Sequence, residues 1–357
     1  MDKIKVGISI GDPNGIGMEI ILSTFEDKSI FKKLTPIIFS PRNIIEFSKS
    51  HFDKKTEINY VNDMNFLTEN KLNVLDFDSE KFNLEFGLKS KIAGNISRKS
   101  LMYAINEIKN NRIDVLVTAP INKDSIHSKD FNFTGHTDFL GSNFTGEPLM
   151  FMIKGKLRIA LLTDHIPLSQ VSKEVSSESL NLKIHSVLKS LREDFGIEKP
   201  KIAVLSINPH SGDNGIIGKE DDSVIKPLIN KLQKNIFIRG PFPADSFFGS
   251  KKYKVYDAIL AIYHDQGLIP FKTLSFGEGV NFTAGINIVR TSPDHGTAFD
   301  IAGKGIANSN SFKQAILESV KIFKSRKNYK FHWNKYCYHI AYSLKKIINL
   351  HTQMFLL

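Results

Sequence analysis

The sequence predicts an α/β protein of two αβα lobes, with mainly parallel sheets and a cleft between the lobes. Short apolar runs typical of buried strands alternate with amphipathic stretches typical of helices. Such alternation indicates parallel strands covered by helices on both faces. The length of 357 residues favours two lobes over one.

The strands and helices follow from the hydrophobic pattern. Buried strands are expected at 4–11, 35–40, 113–120, 201–209 and 256–263. Helices are expected at 98–110, 177–195, 222–235 and 311–325. The apolar run 149–163, broken by Lys-Gly-Lys at 154–156, predicts a β-hairpin inserted into the α/β frame.

The polar stretch 122–138 and the loop before Asp294 are the expected crossings between lobes. The first lobe then comprises 1–135 with 294–357, and the second comprises 136–293. The tail from Asn328 is aromatic and basic, and we interpret it as a surface or dimer-packing helix.

Composition excludes several classes of protein. The net charge is +11, but lysine and arginine are scattered and nucleic-acid-binding motifs are absent, so no nucleic-acid partner is expected. No run of about 18 apolar residues is present, so no membrane span is expected. The start lacks the apolar core of a signal peptide, and Cys337 is the only cysteine. We therefore expect a cytoplasmic protein.

Chemically capable residues follow almost every predicted strand. Ligands bind beyond the carboxyl ends of parallel strands, where loops converge. The runs at these ends are GDPNGIG (11–17), TAPINK (118–123), TDHIPL (163–168), NPHSGD (208–213) and HDQG (264–267). These runs therefore predict a ligand site at this edge of the sheet. After HDQG we expect a glycine turn that leads to Lys272.

Three histidines lie one to three residues beyond predicted strands: His165, His210 and His264. Three imidazoles suit a divalent metal with an open position for substrate. The metal expected is zinc, with magnesium or cobalt as alternatives. Asp164 and Asp265 could orient or supplement the histidines. The alternative is three unrelated histidines that cap loops.

Lys272, Asn281 and Arg290 follow within one glycine-rich segment. An ammonium, an amide and a forked guanidinium suit a phosphate or carboxylate. Three solvent-exposed loop residues are the alternative interpretation.

His136 and Thr137 in GHTDFLG (135–141) add to these groups at a predicted helix start, where backbone N–H groups attract anions. Thr137 could equally be the N-cap. The GDPNGIG loop matches neither a P-loop nor a dinucleotide fingerprint, and no nucleophile elbow occurs.

The run DHGTAFDIAGKGIAN (294–308) resembles the cofactor loop of the metal-dependent decarboxylating dehydrogenases acting on isocitrate and isopropylmalate. The resemblance implies that fold and a loop around the adenosine end of NAD(P). Asp300 stands where a carboxylate accepts hydrogen bonds from a free ribose diol and repels a 2′-phosphate, which favours NAD. The other implied contacts are His295, Gly296, Thr297, Ala298 and, at the adenine, Asn308.

Motifs in order from residue 7 to about 325 resemble the 4-hydroxythreonine-4-phosphate dehydrogenase family of vitamin B6 biosynthesis. The departures are Asp12 and Asn14, where many members carry glutamate and alanine, and the tail beyond about 327. The resemblance implies a homodimer with a shared active site, His264 coming from the second copy. It implies metal binding by His165, His210 and His264, and binding of the phosphorylated substrate by His136, Thr137, Lys272, Asn281 and Arg290.

The implied reaction is NAD-dependent oxidation of 4-phosphooxy-L-threonine to a β-keto acid that loses CO2. Lys272 and Asp265 are the candidate proton carriers. The alternatives are a paralogue oxidising 4-phospho-threonate or 4-phospho-erythronate, a metal-dependent phosphate hydrolase, and a non-catalytic phosphometabolite-binding protein.

Overall fold

The computed structural model describes residues 3–77, 82–128, 133 and 135–331. Its centre is one sheet of twelve strands in the order β3-β4-β2-β1-β5-β12-β11-β6-β7-β10-β8-β9. The strands are β1 Ile4–Ser9, β2 Leu34–Phe39, β3 Ile58–Val61, β4 Leu72–Leu75, β5 Val115–Thr118, β6 Gly146–Lys154, β7 Leu157–Leu161, β8 Lys201–Leu205, β9 Phe237–Phe242, β10 Ala258–Ala261, β11 Val280–Ile286 and β12 Arg290–Pro293.

Helices cover both faces of the sheet and bury its apolar side chains. Strands buried on both faces read as continuous apolar runs, which is why the sequence locates them well. The helices are α1 Gly17–Thr24, α2 Arg42–His51, α3 Lys91–Lys109, α4 Lys123–Ile126, α5 His136–Asn143, α6 Leu168–Glu174, α7 Ser177–Glu193, α8 Lys226–Leu232, α9 Ala244–Gly249, α10 His264–Ser275 and α11 310–331.

The predicted α/β class with a mostly parallel sheet is confirmed. Two parallel groups, β3-β4-β2-β1-β5 and β7-β10-β8-β9, are joined by an antiparallel centre. There β11 pairs antiparallel with β12 and β6, and β6 pairs antiparallel with β7. The two groups therefore belong to one continuous sheet, and the division into lobes at 135 and 294 stays a prediction.

The predicted hairpin is confirmed: β6 and β7 pair with Lys154 opposite Leu157, and Gly155 takes φ +56° in the turn. The glycine turn expected after His264 is wrong, because His264 begins α10 and Lys272 lies within it. Gly267 instead allows α10 to pack closely against the sheet. A Cβ there would lie 2.8 Å from Leu161 Cδ2.

In the described part of the chain, no helix combines the length and apolar character that crossing a membrane requires. Cys337 and most of the tail lie outside the described residues. Only the tail's first residues, 328–331, are described, and they continue α11.

Candidate substrate and metal site

A cavity of about 270 Å³ opens beyond the carboxyl ends of β5, β7 and β10. Its walls come from the starts of α4, α5 and α10 and from the antiparallel strands β11 and β12. The parallel strands bring together residues distant in sequence, as expected for this sheet type. The predicted site residues that line it are His136, Thr137, His165, His264, Lys272, Asn281, Arg290, His295 and Gly296.

Arg290 is the most unusual of these residues because only 2% of it is exposed. Its Nε and Nη2 donate to Thr118 Oγ1, at 3.1 and 2.6 Å, and its Nη1 donates to Thr283 Oγ1 at 3.1 Å. These hydroxyls are neutral, and no carboxylate pairs with it among the described residues. Burial therefore lowers the pKa of Arg290 to about 9. A buried unpaired cation with spare N–H donors favours binding of an anion.

Two neighbouring polar groups are also left without partners. His136 Nε2 and Asn281 Oδ1 are buried and make no hydrogen bond in the described structure. Burial and the charge of Arg290 hold the pKa of His136 well below its usual range, so its imidazole is neutral. Unsatisfied buried polar atoms are costly, so a ligand that pairs with them gains binding energy.

Lys272 and Thr137 frame the same cavity from two helices. Lys272 is exposed in the last turn of α10. Thr137 is not the N-cap of α5, because Gly135 holds that position without a side-chain cap. Thr137 instead lies in the first turn, on the cavity wall.

His165 and His264 lie together within one chain, with their ring centroids 5.6 Å apart. Burial is the main cause that lowers the pKa of His165. Asp265 Oδ1 lies 2.7 Å from His264 Nδ1, so Asp265 orients that ring. Asp265 itself does not line the cavity. Within one copy His264 therefore lies beside His165, and which copy supplies each histidine of a shared site stays a prediction.

His210 lies elsewhere. It begins a left-handed turn in which residues 210–214 have φ between 43° and 80°. Asp221 holds this loop by accepting hydrogen bonds from the backbone N–H groups of Ile207 and Asn208, both at 3.0 Å. Within the described residues of one copy, no group of three metal-ligating side chains exists. One copy thus brings two of the three predicted histidines together.

The loop 294–308 contributes its first residues to the cavity. His295 and Gly296 line it, and His295 Nε2 is buried without a partner in the described structure. Thr297 O instead accepts from Ile16 N at 3.0 Å, which fixes the loop to the GDPNGIG turn. Ala298 takes φ +43°, whereas Asp300 and Asn308 are exposed, away from the cavity.

Sequence reasoning missed three charged residues on the cavity wall: Lys123, Asp138 and Asp294. Their motifs, TAPINK, GHTDFLG and SPDHGTA, were visible as polar strand ends. Nothing in the local pattern told which side chains faced inward. With Arg290 and Lys272, the wall carries three cations against two carboxylates.

Asp12 of the glycine turn is buried nearby but does not line the cavity. Its Oδ1 accepts from Asn14 N at 3.0 Å, and its Oδ2 has no partner in the described structure. Burial raises the pKa of Asp12 to about 6, and the hydrogen bond from Asn14 N offsets only part of this effect.

Comparison with known proteins identifies the family. The family model described as "Pyridoxal phosphate biosynthetic protein PdxA" matches residues 27–318. The chain is 41% identical over 332 residues to a 4-hydroxythreonine-4-phosphate dehydrogenase of Bacteroides thetaiotaomicron, covering 92% of this chain and 91% of that one. It is 33% identical to a putative D-threonate 4-phosphate dehydrogenase of Oceanobacillus iheyensis, covering 90% and 98%.

A crystal structure of 4-hydroxythreonine-4-phosphate dehydrogenase from Klebsiella pneumoniae has the same fold. Its TM-score is 0.78 at 29% identity, and the match covers 90% of this chain and 100% of that one. The family match spans most of the chain, including the cavity and both histidines that meet there. The chain belongs to the PdxA family of pyridoxal phosphate biosynthetic proteins.

Proposed function

We propose that the protein oxidises 4-phosphooxy-L-threonine with NAD to 2-amino-3-oxo-4-phosphooxybutanoate. This β-keto acid loses CO2 to give 3-amino-2-oxopropyl phosphate, in pyridoxal 5′-phosphate biosynthesis. The buried, unpaired Arg290 carries the proposal, because it lines the same cavity as the His165–His264 pair and so places an anion site and a candidate metal site in one cavity. The activity named for the relative from Bacteroides thetaiotaomicron supports it.

The chain's own groups would hold the substrate's phosphate at Arg290. Three of its five N–H donors go to Thr118 and Thr283, which leaves two for a phosphate. Neutral His136 donates from Nε2 in one tautomer, and Asn281 Oδ1 accepts from a hydroxyl or ammonium. Thr137 and Lys272 complete the substrate site. Fixing the phosphate holds the adjacent carbinol carbon in one position.

His165 and His264 fit a divalent metal as two ligands, since burial lowers the pKa of His165 and Asp265 orients His264. A catalytic zinc takes three protein ligands, so the third has to come from outside this copy. Zinc is the metal proposed, with magnesium or cobalt as alternatives. When bound, such a metal would supply Lewis acidity at the substrate's hydroxyl.

We propose a homodimer in which His210 of a second copy is that third ligand. The strained turn at 210–214 exposes it, and strain of this kind is commonest at functional sites. Ile216 beside the turn is 82% exposed, and Leu168 beside His165 is 72% exposed. Apolar surface at both places supports contact between copies.

NAD would lie along the loop 294–308. His295, whose Nε2 has no partner in the described structure, and Gly296 line the cavity and would contact NAD where the loop meets the substrate site. NAD would supply the hydride acceptor. Asp300 is exposed and free to accept hydrogen bonds from a ribose diol, while Thr297, Ala298 and Asn308 shape the loop. Lys272 remains the proposed proton carrier. Asp265 acts on the ring of His264 instead.

The test is NADH formation from 4-phosphooxy-L-threonine, compared with D-threonate 4-phosphate. The second substrate is the runner-up because of the relative in Oceanobacillus iheyensis. We expect turnover of the first that a chelator abolishes, and loss of NAD binding in Asp300→Lys. Turnover of the sugar acid alone would overturn the vitamin B6 assignment. Release of inorganic phosphate without NADH would favour a hydrolase.

A further inference from the structure

Lys123 is a cavity-lining cation that none of the predicted roles uses. It is the first residue of α4, a few residues beyond the end of β5. Asn122 caps this helix, with its Oδ1 accepting from Ser125 N at 2.9 Å. Gly94 of α3 packs behind it so closely that a Cβ there would lie 2.0 Å from Ser125 O. The backbone that carries Lys123 is therefore fixed.

The Lys123 ammonium has no carboxylate or hydrogen-bond partner within the described residues. Two nearby lysines, by contrast, do have partners. Lys89 Nζ lies 2.6 Å from Asp124 Oδ2, and Lys91 Nζ donates to Asp124 O at 2.6 Å. Asp124 is thus already occupied. Lys123 extends towards the start of α5, where its Cε lies 4.0 Å from the Cβ position of Gly135. An unpaired cation is left at the rim of the cavity.

The two unpaired cations of the cavity differ in depth. Arg290 is only 2% exposed, whereas Lys123 is exposed at the start of α4. A ligand with two anionic groups can pair with both cations at once.

We propose that Lys123 binds the substrate's carboxylate while Arg290 binds its phosphate. This rests on the proposed function, in which the substrate carries both groups. The two contacts fix the substrate in one orientation, with its phosphate at the buried Arg290 and its carboxylate at the exposed Lys123. Phosphate esters that lack a carboxylate would lose one of the two contacts and bind less tightly.

Calorimetric titration tests this with the full chain and no added dinucleotide. The ligands are 4-phosphooxy-L-threonine and its carboxamide, which keeps the phosphate and loses the carboxylate charge. Lys123→Met should weaken binding of the acid about tenfold or more, because charge-assisted hydrogen bonds are strong. Binding of the carboxamide should not change. Lys123→Arg should restore most of the loss.

The matched control is Lys156→Met, which removes an exposed lysine from the β6–β7 turn. It should leave both affinities unchanged. Equal weakening of acid and carboxamide by Lys123→Met, or weakening of neither, overturns the inference. If wild-type protein neither binds nor oxidises the acid, the proposed function fails as well. Wild-type turnover with unaltered binding by Lys123→Met overturns the inference alone.

Discussion

His165 and His264 face each other because they follow two neighbouring parallel strands. Leu161 at the end of β7 pairs with Ala261 at the end of β10. Beyond them Thr163 Oγ1 donates to Ile262 O at 2.7 Å, which continues the pairing. The centroids of the two imidazole rings therefore lie 5.6 Å apart within one copy. In the proposed shared metal site, only His210 would then come from a second copy.

Mixing inactive variants tests this arrangement. A mixture of His165→Ala and His210→Ala should regain activity, because each hybrid dimer has one site with both lesions and one intact site. Random pairing at equal amounts gives about a quarter of wild-type activity for a symmetric dimer. A mixture of His165→Ala and His264→Ala should stay inactive, since each copy's lesion falls in its own site and neither site of the hybrid is intact. Recovery in both mixtures, or in neither, would contradict the assignment.

Arg290→Met should separate binding from stability. Losing two charge-assisted contacts to phosphate should lower kcat/KM by about two orders of magnitude or more. Folding should suffer little, because the substitution also removes a buried charge without a counterion. Urea unfolding measures the second effect, and we expect a change below about 1 kcal/mol. A large loss of stability would show that the Thr118 and Thr283 hydrogen bonds matter more.

The stability of the protein should depend on the ionisation of Asp12. Its pKa is raised from an ordinary 3.8 to about 6, so the folded state binds the proton more tightly than the unfolded state. The contribution of Asp12 is then most favourable below pH 3.8 and declines as the pH rises to about 6. The full change is about 2 to 3 kcal/mol.

Asp12→Asn removes this dependence. Urea unfolding from pH 4.5 to 8 should show wild type losing stability relative to Asp12→Asn up to pH about 6, with a constant difference above it. Parallel curves over the whole range would contradict the shifted pKa.

Gly267→Ala should displace α10 from the sheet. The new Cβ would lie 2.8 Å from Leu161 Cδ2 and 3.0 Å from Ala261 Cβ. Overpacking of this kind costs about 1 to 3 kcal/mol, which exceeds the gain in helix propensity of about 1 kcal/mol. Activity should fall too, because α10 carries His264 and Lys272.

Gly249→Ala is the control for this prediction. Gly249 ends α9, and its Cβ position has no neighbour within 4 Å. The free energy of unfolding of the Gly249→Ala variant should equal that of the wild type or exceed it slightly. Equal effects of the two substitutions would mean that helix propensity, and not packing, dominates at Gly267.

The sequence predicted the elements whose local pattern matches their environment. The core strands β5, β8 and β10 are nearly continuous apolar runs, and the β6–β7 hairpin has its turn glycine. The start of α10 was missed because Gly267 and Pro270 normally interrupt helices. Here the glycine meets a packing need that only the sheet beneath it reveals.

The same limit applies to the site. His165 and His264 were recognised as residues, but their separation from His210 depends on the strand order. Lys123 and Asp138 were not singled out as site residues. Which charges face a common cavity is decided by long-range pairing, such as the register of β7 with β10. No short stretch of sequence carries that information.

The buried Arg290 also affects the lifetime of the protein. A ligand that binds only the folded state stabilises it in proportion to the logarithm of its concentration. The proposed substrate phosphate would supply the counterion that Arg290 lacks, so the empty protein should open more often than the occupied one. Proteases cleave opened chains, so cells poor in substrate should degrade this enzyme faster than cells rich in it.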